Sequence, residues 1–332
     1  MKPSSEKTSI RTHPCLRFAY LCAAIVAALL VVRGWCSAQS TQLASASRMG
    51  APSSNQTQEK KLLFSRDNLY AWCIVPYDSV HRSPEQRAAM LKEIGITSFV
   101  WDWRAQHIPI LKAEIAALSH EGISLKGVWF WVDGKSGKTI DDANVSILKT
   151  LEDTKTHTEL WVSFPAEYFA GLPDTQKVQK AVNTIRYIHE RAKAIGCSVA
   201  LYNHGDWFGE PANQVKIIEA LGGKDIGIIY NFHHGHQQID QFGDNLRIMK
   251  PYLWSVNLNG MKKEGPMILP IGEGNCELEM LKKLRASGFA GSLGILGHVD
   301  DQDVKVVLQK NLEGLKKLLK VMGEEEALRS YR

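Results

Sequence analysis

From about residue 70 onward, short runs of consecutive apolar residues alternate with longer stretches of mixed polarity. The short runs predict strands, and the longer stretches, in which apolar side chains recur every three to four positions, predict helices. Ile185, Ile188, Ala192 and Ile195, for example, predict one buried face of a helix. The predicted strands are 70–76, 97–101, 125–132, 159–164, 198–202, 226–230, 253–258 and 293–296.

Eight strands alternate with eight helices over about 250 residues, and this count predicts the fold. The strand runs lack polar alternation, which is typical of parallel strands buried on both faces. We therefore expect a single α/β domain, a (β/α)8 TIM barrel, over residues 68–323. No GxGxxG or GxxxxGK[ST] motif follows any predicted strand, so a nucleotide-binding open sheet lacks support.

The N-terminal region has the pattern of an export signal. A basic stretch precedes fifteen uninterrupted apolar residues at 18–32, and small residues end this region at Ala38. Residues 1–38 therefore predict a cleavable signal peptide and an exported protein, periplasmic or secreted. An uncleaved membrane anchor is the alternative. Residues 39–67 are predicted to be a disordered linker, and residues 324–332 a polar tail.

Composition and charge narrow the function classes. The 332 residues are 44% hydrophobic and 23% charged, which is ordinary for a globular protein. The net charge is +5, but residues 1–38 hold five basic residues and one acidic residue, so the remainder carries only +1. A nearly neutral body gives no electrostatic case for nucleic-acid binding.

The cysteines after residue 38 are Cys73, Cys197 and Cys276. Their odd number and the absence of a CxxC spacing predict neither a disulfide framework nor a zinc-thiolate site. A single disulfide stays open as an alternative in an oxidising compartment.

Histidines cluster where the predicted strands end. Of the ten histidines beyond residue 38, five follow strands: His204, His233, His234, His236 and His298. Active sites of TIM barrels lie at the carboxyl ends of the strands, and histidine suits both proton transfer and metal binding. We select His204 and His234 as catalytic residues because each follows closely after a buried strand, and we assign His298 to substrate binding.

Aromatic, amide and carboxylate side chains accompany the histidines at the same end of the predicted barrel. Tryptophan faces pack against the CH groups of sugars, and amides and carboxylates bind hydroxyls. This pattern predicts a small sugar-like ligand, although plain barrel packing is the alternative for several of the tryptophans. The expected binding residues are Asn203, Asn231, Asn257, Trp103, Trp207 and Glu210.

Four segments together resemble the sugar phosphate isomerase/epimerase family, the xylose isomerase-like TIM barrels. They are LYNHG at 201–205, YNFHH at 230–234, VNLN at 256–259 and PIGEGN at 270–275. The resemblance covers about residues 68–320. It implies a barrel enzyme that isomerises or epimerises a sugar by proton abstraction next to a carbonyl, with a divalent metal held at the strand ends.

This chain departs from the family at most of the metal ligands. The family's carboxylates and its strand-seven ligand fall here on Tyr202, Asn231, Asn257 and Leu296, whereas His234 matches the family's histidine. The residues of this chain that could still bind a metal are His204, His234 and Glu273. They predict either a site for Zn²⁺, Mn²⁺ or Mg²⁺ or a site without metal.

Two functions follow as hypotheses. In the first, the protein is an isomerase-like or epimerase-like enzyme, or an eliminating lyase, in which His204, His234 and Glu273 transfer protons. In the second, it is a carbohydrate-binding protein on a degenerate isomerase barrel, without turnover. Both take a small sugar or sugar derivative as partner.

Overall fold

The structure is a computed structural model that describes residues 62–204, 206–223 and 225–331. The predicted signal peptide and most of the predicted linker lie outside these residues. The strands are β1 Leu69–Trp72, β2 Ser98–Trp101, β3 Ser124–Trp131, β4 Glu159–Ser163, β5 Ser198–Tyr202, β6 Ile226–Asn231, β7 Leu253–Leu258 and β8 Ser292–Leu296.

Helices follow the strands on the outside of the sheet. They are α1 Pro84–Glu93, α2 Leu111–His120, α3 Asp142–Asp153, α4 Asp174–Ala194, α5 Asp206–Gly209, α6 Pro211–Ala220, α7 Phe242–Met249, α8 Glu277–Ala286, α9 Val304–Met322 and α10 Glu325–Arg329. At the start of α1, Ser83 and Gln86 form a capping box, and Pro84 occupies the first turn.

The eight strands form a closed parallel barrel in the order β1 to β8. Each strand pairs with the next, and β8 closes the barrel against β1, with Leu293 opposite Leu69. The (β/α)8 barrel predicted from the sequence is therefore confirmed. All eight strands converge at one rim by their carboxyl ends, which brings together side chains far apart in the chain.

Strand β1 ends four residues earlier than the predicted strand 70–76. Cys73 has a φ of +57°, in the left-handed region, so the extended strand cannot continue through it. The backbone N–H groups of Ile74 and Val75 instead donate to Oδ1 of Asp102, both at 3.2 Å. The chain thus turns across the rim of the barrel directly after Trp72.

Aromatic side chains fill the inside of the barrel. Trp161 lies 5.0 Å from Trp72, 5.7 Å from Tyr70 and 5.9 Å from Tyr202, between ring centroids. Glycine provides the room for these rings, since a Cβ atom on Gly127 would lie 2.8 Å from Nε1 of Trp161. The barrel interior is therefore a packed core, and ligand chemistry is confined to its ends.

Two predicted boundaries differ from the structure. Phe64, placed in the predicted linker, is buried, and its carbonyl accepts a hydrogen bond of 2.8 Å from Oη of Tyr331. In the predicted polar tail, α10 forms a helix whose Ala327 is buried. The apolar residues among the acidic ones supply a packing face, so both segments belong to the folded barrel.

Cys73, Cys197 and Cys276 are free thiols, and the first two are buried. Within the described ranges, no helix has both the length and the apolar character needed to cross a lipid bilayer.

Candidate active site

A cavity of about 60 Å³ lies at the carboxyl ends of the strands. Its volume accommodates a few water molecules or one end of a small ligand. The lining comes from the ends of six strands and comprises Trp72, Cys73, Tyr77, Asp102, Arg104, Trp129, Tyr202, His204, His233, His234 and His298. Four of the histidines predicted from strand ends therefore meet at one cavity.

The hydroxyl of Tyr202 is the centre of a hydrogen-bond network below this cavity. It accepts hydrogen bonds from Nε1 of Trp72 at 3.3 Å and from Nδ2 of Asn231 at 2.8 Å. Its third neighbour is Nε2 of His234, at 3.1 Å. A phenol has one proton and two lone pairs, and the indole and amide nitrogens can only donate. The Tyr202 proton is therefore donated to Nε2 of His234.

This network assigns the tautomer of His234. Because Nε2 accepts from Tyr202, the neutral ring carries its proton on Nδ1. Burial, together with the neighbouring histidines, lowers the pKa of His234 well below its usual value. At neutral pH His234 is thus an uncharged imidazole that presents an N–H donor on Nδ1.

His204 follows β5, and its ring centroid lies 4.5 Å from that of His234. Trp131 packs edge-to-face against it at 5.2 Å. Across the described residues, neither ring nitrogen of His204 takes part in a hydrogen bond, and Nδ1 is buried. Burial and the positive charge of Arg104 lower the pKa of His204 to about 4. The fold does not use the polar atoms of this neutral imidazole.

His233 and His298 complete the cluster. His233 begins the 3₁₀ helix His233–Gln238 after β6, and its ring lies 3.9 Å from His234 and 5.8 Å from His298. Burial lowers the pKa of His233 to about 3 and also lowers that of His298. His236, in contrast, is buried away from this cavity, where Nε2 lies 2.7 Å from the carbonyl of Lys262.

Asp102 and Arg104, which follow β2, also line the cavity and were missing from the predicted site. Burial raises the pKa of Asp102 to about 6, and its Oδ2 is buried without a partner. The Arg104 guanidinium donates to the carbonyl of Trp103 at 2.8 Å and to Oη of Tyr77 at 3.0 Å. The signal for them was an Asp-x-Arg sequence directly after a predicted strand.

The three predicted amide ligands serve the barrel rather than the cavity lining. Asn203 joins β5 to β6, since its Oδ1 accepts from the backbone N–H of Asn231 at 2.7 Å and its Nδ2 donates to the Asn231 carbonyl at 3.1 Å. Oδ1 of Asn257 accepts from Oη of Tyr70 at 2.7 Å. All three amides are buried, and most of their polar atoms form hydrogen bonds with other groups of the protein.

The two predicted aromatic contacts also lie outside the cavity. Trp103 is buried, and its Nε1 donates to the carbonyl of Trp129 at 2.7 Å. Trp207 packs 5.1 Å from Phe169 and lines a separate cavity of about 320 Å³. Glu210 is exposed and accepts from Nδ2 of Asn213 at 3.2 Å, at the start of α6.

Glu273 does not join the histidines. Its side chain is 50% exposed and forms an ion pair of 2.8 Å with Nζ of Lys310 on α9. Gly272, with a φ of +86°, turns the chain so that Glu277 points inward instead. Glu277 is buried and accepts from the backbone N–H groups of Gly272 and Gly274 at 3.0 and 2.9 Å. The expected catalytic role of Glu273 is therefore not supported.

The predicted metal ligands His204, His234 and Glu273 thus do not converge. Among the residues that the structure describes, no three His, Cys, Asp or Glu side chains are arranged to hold a metal ion. The Tyr202 hydroxyl below the cavity already bonds to three protein groups. The described residues therefore do not fit a divalent metal, which requires three or more protein ligands placed around one point.

A larger cavity, of about 530 Å³, lies at the opposite end of the barrel, where the strands begin. Lys126 and Glu159 form an ion pair of 2.8 Å in its lining. None of the four histidines of the smaller cavity lines the larger one. TIM-barrel chemistry takes place at the carboxyl ends of the strands. We therefore assign the candidate active site to the smaller cavity.

No protein-family model matches the chain, and no curated protein matches it. Solved structures are similar. The 3-keto-D-glucoside 4-epimerase of E. coli is 17% identical, with a TM-score of 0.57 over 76% of this chain and 99% of that one. The D-psicose 3-epimerase of Clostridium cellulolyticum H10 is 15% identical, with a TM-score of 0.52 over 73% and 94%.

The probable 3-DHS dehydratase AsbF of Bacillus anthracis is 16% identical, with a TM-score of 0.53 over 74% of this chain and 98% of that one. At these identities the likeness concerns the fold alone. It agrees with the resemblance found in the sequence segments at the ends of β5, β6 and β7. The chain therefore has the fold of the xylose isomerase-like TIM barrels.

Proposed function

We propose that this chain is an enzyme that transfers a proton at a carbon next to the carbonyl of a sugar-like substrate. The observation that carries the proposal is the pair His204 and His234, two neutral imidazoles 4.5 Å apart at the carboxyl ends of the strands. General acid–base catalysis next to a carbonyl needs one group to take the proton and another to stabilise the oxygen.

His204 is the proposed base. Its ring nitrogens have no partner within the described part of the chain, so one of them is available to take a proton from carbon. The electron pair of the broken C–H bond then moves to the carbonyl oxygen and gives an enediol or enediolate. Return of the proton to the neighbouring carbon, while the hydroxyl proton of that carbon passes to the former carbonyl oxygen, gives an isomer. Protonation of the original carbon on its opposite face gives an epimer.

His234 is the proposed oxygen-stabilising group. Tyr202 fixes its tautomer, so the donor Nδ1–H is available for the carbonyl oxygen. A neutral imidazole can stabilise a developing enolate by donating a hydrogen bond to its oxygen. The N–H proton of a neutral imidazole is only weakly acidic, and its pKa is close to that of an enediol hydroxyl. No step in this scheme uses a metal, in keeping with the donor set at the cavity.

The substrate class rests on the lining of the cavity and on the neighbours. Tyr77 and Trp129 line the cavity beside the histidines, and aromatic side chains commonly pack against sugar CH groups. Two of the similar structures are named as epimerases of a keto-glucoside and of psicose. A sugar or sugar derivative with a carbonyl group is therefore the proposed substrate.

Export is part of the same proposal and rests on residues 1–38 alone, with their basic leader and apolar run. N-terminal sequencing of the mature protein tests cleavage of the signal peptide. A first residue of Gln39 agrees with cleavage after Ala38, and a first residue of Met1 contradicts it.

Deuterium exchange tests the catalytic proposal. The protein is incubated in D₂O with a panel of keto-sugars, and label at carbon is measured by mass spectrometry. We expect exchange in the wild type and a loss of about 100-fold or more in His204→Ala and in His234→Ala. His120→Ala, at an exposed position on α2, is the matched control and should exchange at the wild-type rate. Full exchange in both cavity variants contradicts the assignment.

A second function, sugar binding without turnover, is favoured by one observation. The pKa of His204 lies at about 4, so the free protein holds a weaker base than an ordinary histidine. Calorimetry separates the two functions. Binding of a keto-sugar with no deuterium exchange supports the binding protein, and exchange supports the enzyme.

A further inference from the structure

We propose that the substrate of this cavity carries an anionic group, a carboxylate or a phosphate, and that Arg104 binds that group. The inference names the substrate class of the site described above, and in that sense it rests on the proposed function.

The position of Arg104 is fixed before any ligand arrives. Its guanidinium donates to the Trp103 carbonyl and to Oη of Tyr77. Its Cζ also lies 5.5 Å from the ring centre of Tyr77 and 5.6 Å from that of Trp129. A guanidinium has five N–H donors, and these two hydrogen bonds use two of them. Three donors are left on a group that is already oriented at the cavity.

Arg104 forms no ion pair with the described residues, although its charge interacts with that of Asp102 over a longer distance. Throughout residues 62–204, 206–223 and 225–331, ion pairs within 4.0 Å are formed by other arginines, such as Arg82 with Asp78, but none by Arg104. Asp102 is the acidic side chain of the lining, and its Oδ1 accepts from two backbone N–H groups of the turn after β1. Asp102 therefore does not occupy the guanidinium.

Asp102, with a pKa of about 6, is the anion of the lining at pH 7.5, and apart from Arg104 the other titratable groups are uncharged. Burial lowers the pKa values of the four histidines, so they are neutral at pH 7. Burial likewise raises the pKa values of Cys73, Tyr77 and Tyr202, so these are neutral too. Arg104 is thus the one cation of the cavity lining, held against aromatic rings where its charge is poorly screened.

An anion at Arg104 would also favour the chemistry. Burial is the larger cause that lowers the pKa of His204, and the positive charge of Arg104 is the smaller one. A bound carboxylate or phosphate compensates the guanidinium charge and so raises the pKa of His204 towards the range of an effective base. An acidic substrate would therefore make His204 a stronger base than a neutral sugar would, although burial still lowers the pKa of His204.

The planar fork of arginine recognises carboxylate and phosphate through paired hydrogen bonds. Both sources share this chemistry, and the experiment separates them. The probes are D-glucuronate and D-galacturonate for the carboxylate, D-glucose 6-phosphate for the phosphate, and D-glucose and D-galactose as neutral counterparts.

Isothermal titration calorimetry at pH 7.5 measures the affinity of each probe for the full chain. We expect at least one anionic probe to bind ten-fold or more tightly than its neutral counterpart. Arg104→Gln should lose this ten-fold preference for the anionic probe, and Arg104→Lys should keep part of it. Arg247→Gln removes an exposed arginine of α7 that pairs with Asp244, and it should behave like the wild type.

The outcomes are distinguishable from those of the proposed function. If no anionic probe binds more tightly than its neutral counterpart, or if Arg104→Gln leaves every affinity unchanged, the inference is overturned. Urea unfolding of each variant separates a binding loss from a folding loss, and Arg104→Lys keeps the test open if Arg104→Gln does not fold. Anion binding without deuterium exchange contradicts the proposed enzymatic activity but not this inference. Deuterium exchange into neutral keto-sugars alone contradicts this inference but not the proposed activity.

Discussion

The hydroxyl of Tyr202 lies 3.1 Å from Nε2 of His234 and, with its two lone pairs already used, gives its proton to that nitrogen. One phenol thereby sets the tautomer of the histidine at the centre of the cavity. The sequence resemblance implies that the family has a metal-binding carboxylate at this position of strand five. The chain thus keeps a barrel rim of the same architecture but organises it by hydrogen bonds to a tyrosine.

Tyr202→Phe tests this network. The variant leaves Nε1 of Trp72 and Nδ2 of Asn231 without their acceptor, and a buried unpaired donor costs about 1–3 kcal/mol. Because two donors lose their acceptor, we expect the free energy of unfolding in urea to fall by at least that amount. Tyr187→Phe, on the exposed face of α4, is the matched control and should change it by less than about 0.5 kcal/mol. Equal stability of the two variants contradicts the network.

His233→Gln tests the neutral state of the histidine cluster. The pKa of His233 is lowered from 6.5 to about 3, so below pH 6.5 the unfolded chain binds a proton that the folded chain does not. The contribution of His233 to stability is therefore lost as the pH falls from 6.5 towards 3. From pH 7.5 to 5, the wild type should lose about 2 kcal/mol relative to the variant.

The comparison with the variant is needed because buried carboxyls act in the opposite direction. Burial raises the pKa values of Asp102 and Glu114 to about 6 and about 7, so these groups favour the folded state at lower pH. Both are present in the wild type and in His233→Gln, and their effects cancel in the difference. A difference in unfolding free energy that does not change with pH contradicts a neutral, buried His233.

Metal removal should leave the protein unchanged. The described residues provide no three suitable ligands in one place, and Glu273 pairs with Lys310. We expect EDTA, and then Zn²⁺, Mn²⁺ or Mg²⁺, to shift Tm by less than about 1 °C. A metal at 100 times its Kd would add about 2.7 kcal/mol, which corresponds to about 5 °C or more for a domain of this size. A shift of that size contradicts the metal-free site.

Gly294→Ala tests the packed interior below the cavity. A Cβ atom at this position of β8 would lie 2.1 Å from Oδ1 of Asn257 and 2.5 Å from the ring of Tyr70. Overpacking of this kind costs about 1–3 kcal/mol, and it also disturbs the hydrogen bond between these two residues. In α7, the nearest atom to a Cβ on Gly243 lies at 3.8 Å, so Gly243→Ala should be neutral or stabilising by about 0.5–1 kcal/mol. Similar unfolding midpoints for both variants contradict the close packing.

The fold could be predicted because each strand and each helix has its own local signal. The predicted bounds of β5 and β7 agree with the structure, and the proline after Ser83 marks the start of α1. Boundaries were wrong where tertiary contacts decide. Strand β1 stops at Trp72 because Cys73 has a positive φ, and no pattern of apolar residues encodes that angle.

The site could be predicted only in part, because the direction in which a loop side chain points cannot be inferred from the sequence pattern. His204 and His234 follow buried strands and do meet at the cavity. Glu273 and Glu277 lie four residues apart in one loop, and the backbone turn at Gly272 sends the first outward and the second inward. Arg104 was not predicted because a single charged residue after a strand does not indicate a binding role by itself. Its role becomes visible only when the fold places it beside the neutral histidines.

The most direct test of the account compares His204→Gln with Glu273→Gln for deuterium exchange into a keto-sugar that the wild type labels. Both variants replace a side chain that was expected to be catalytic, and only His204 lies at the cavity. The account predicts a loss of about 100-fold or more in His204→Gln and wild-type exchange in Glu273→Gln. Full exchange in His204→Gln, with exchange abolished in Glu273→Gln, would contradict it.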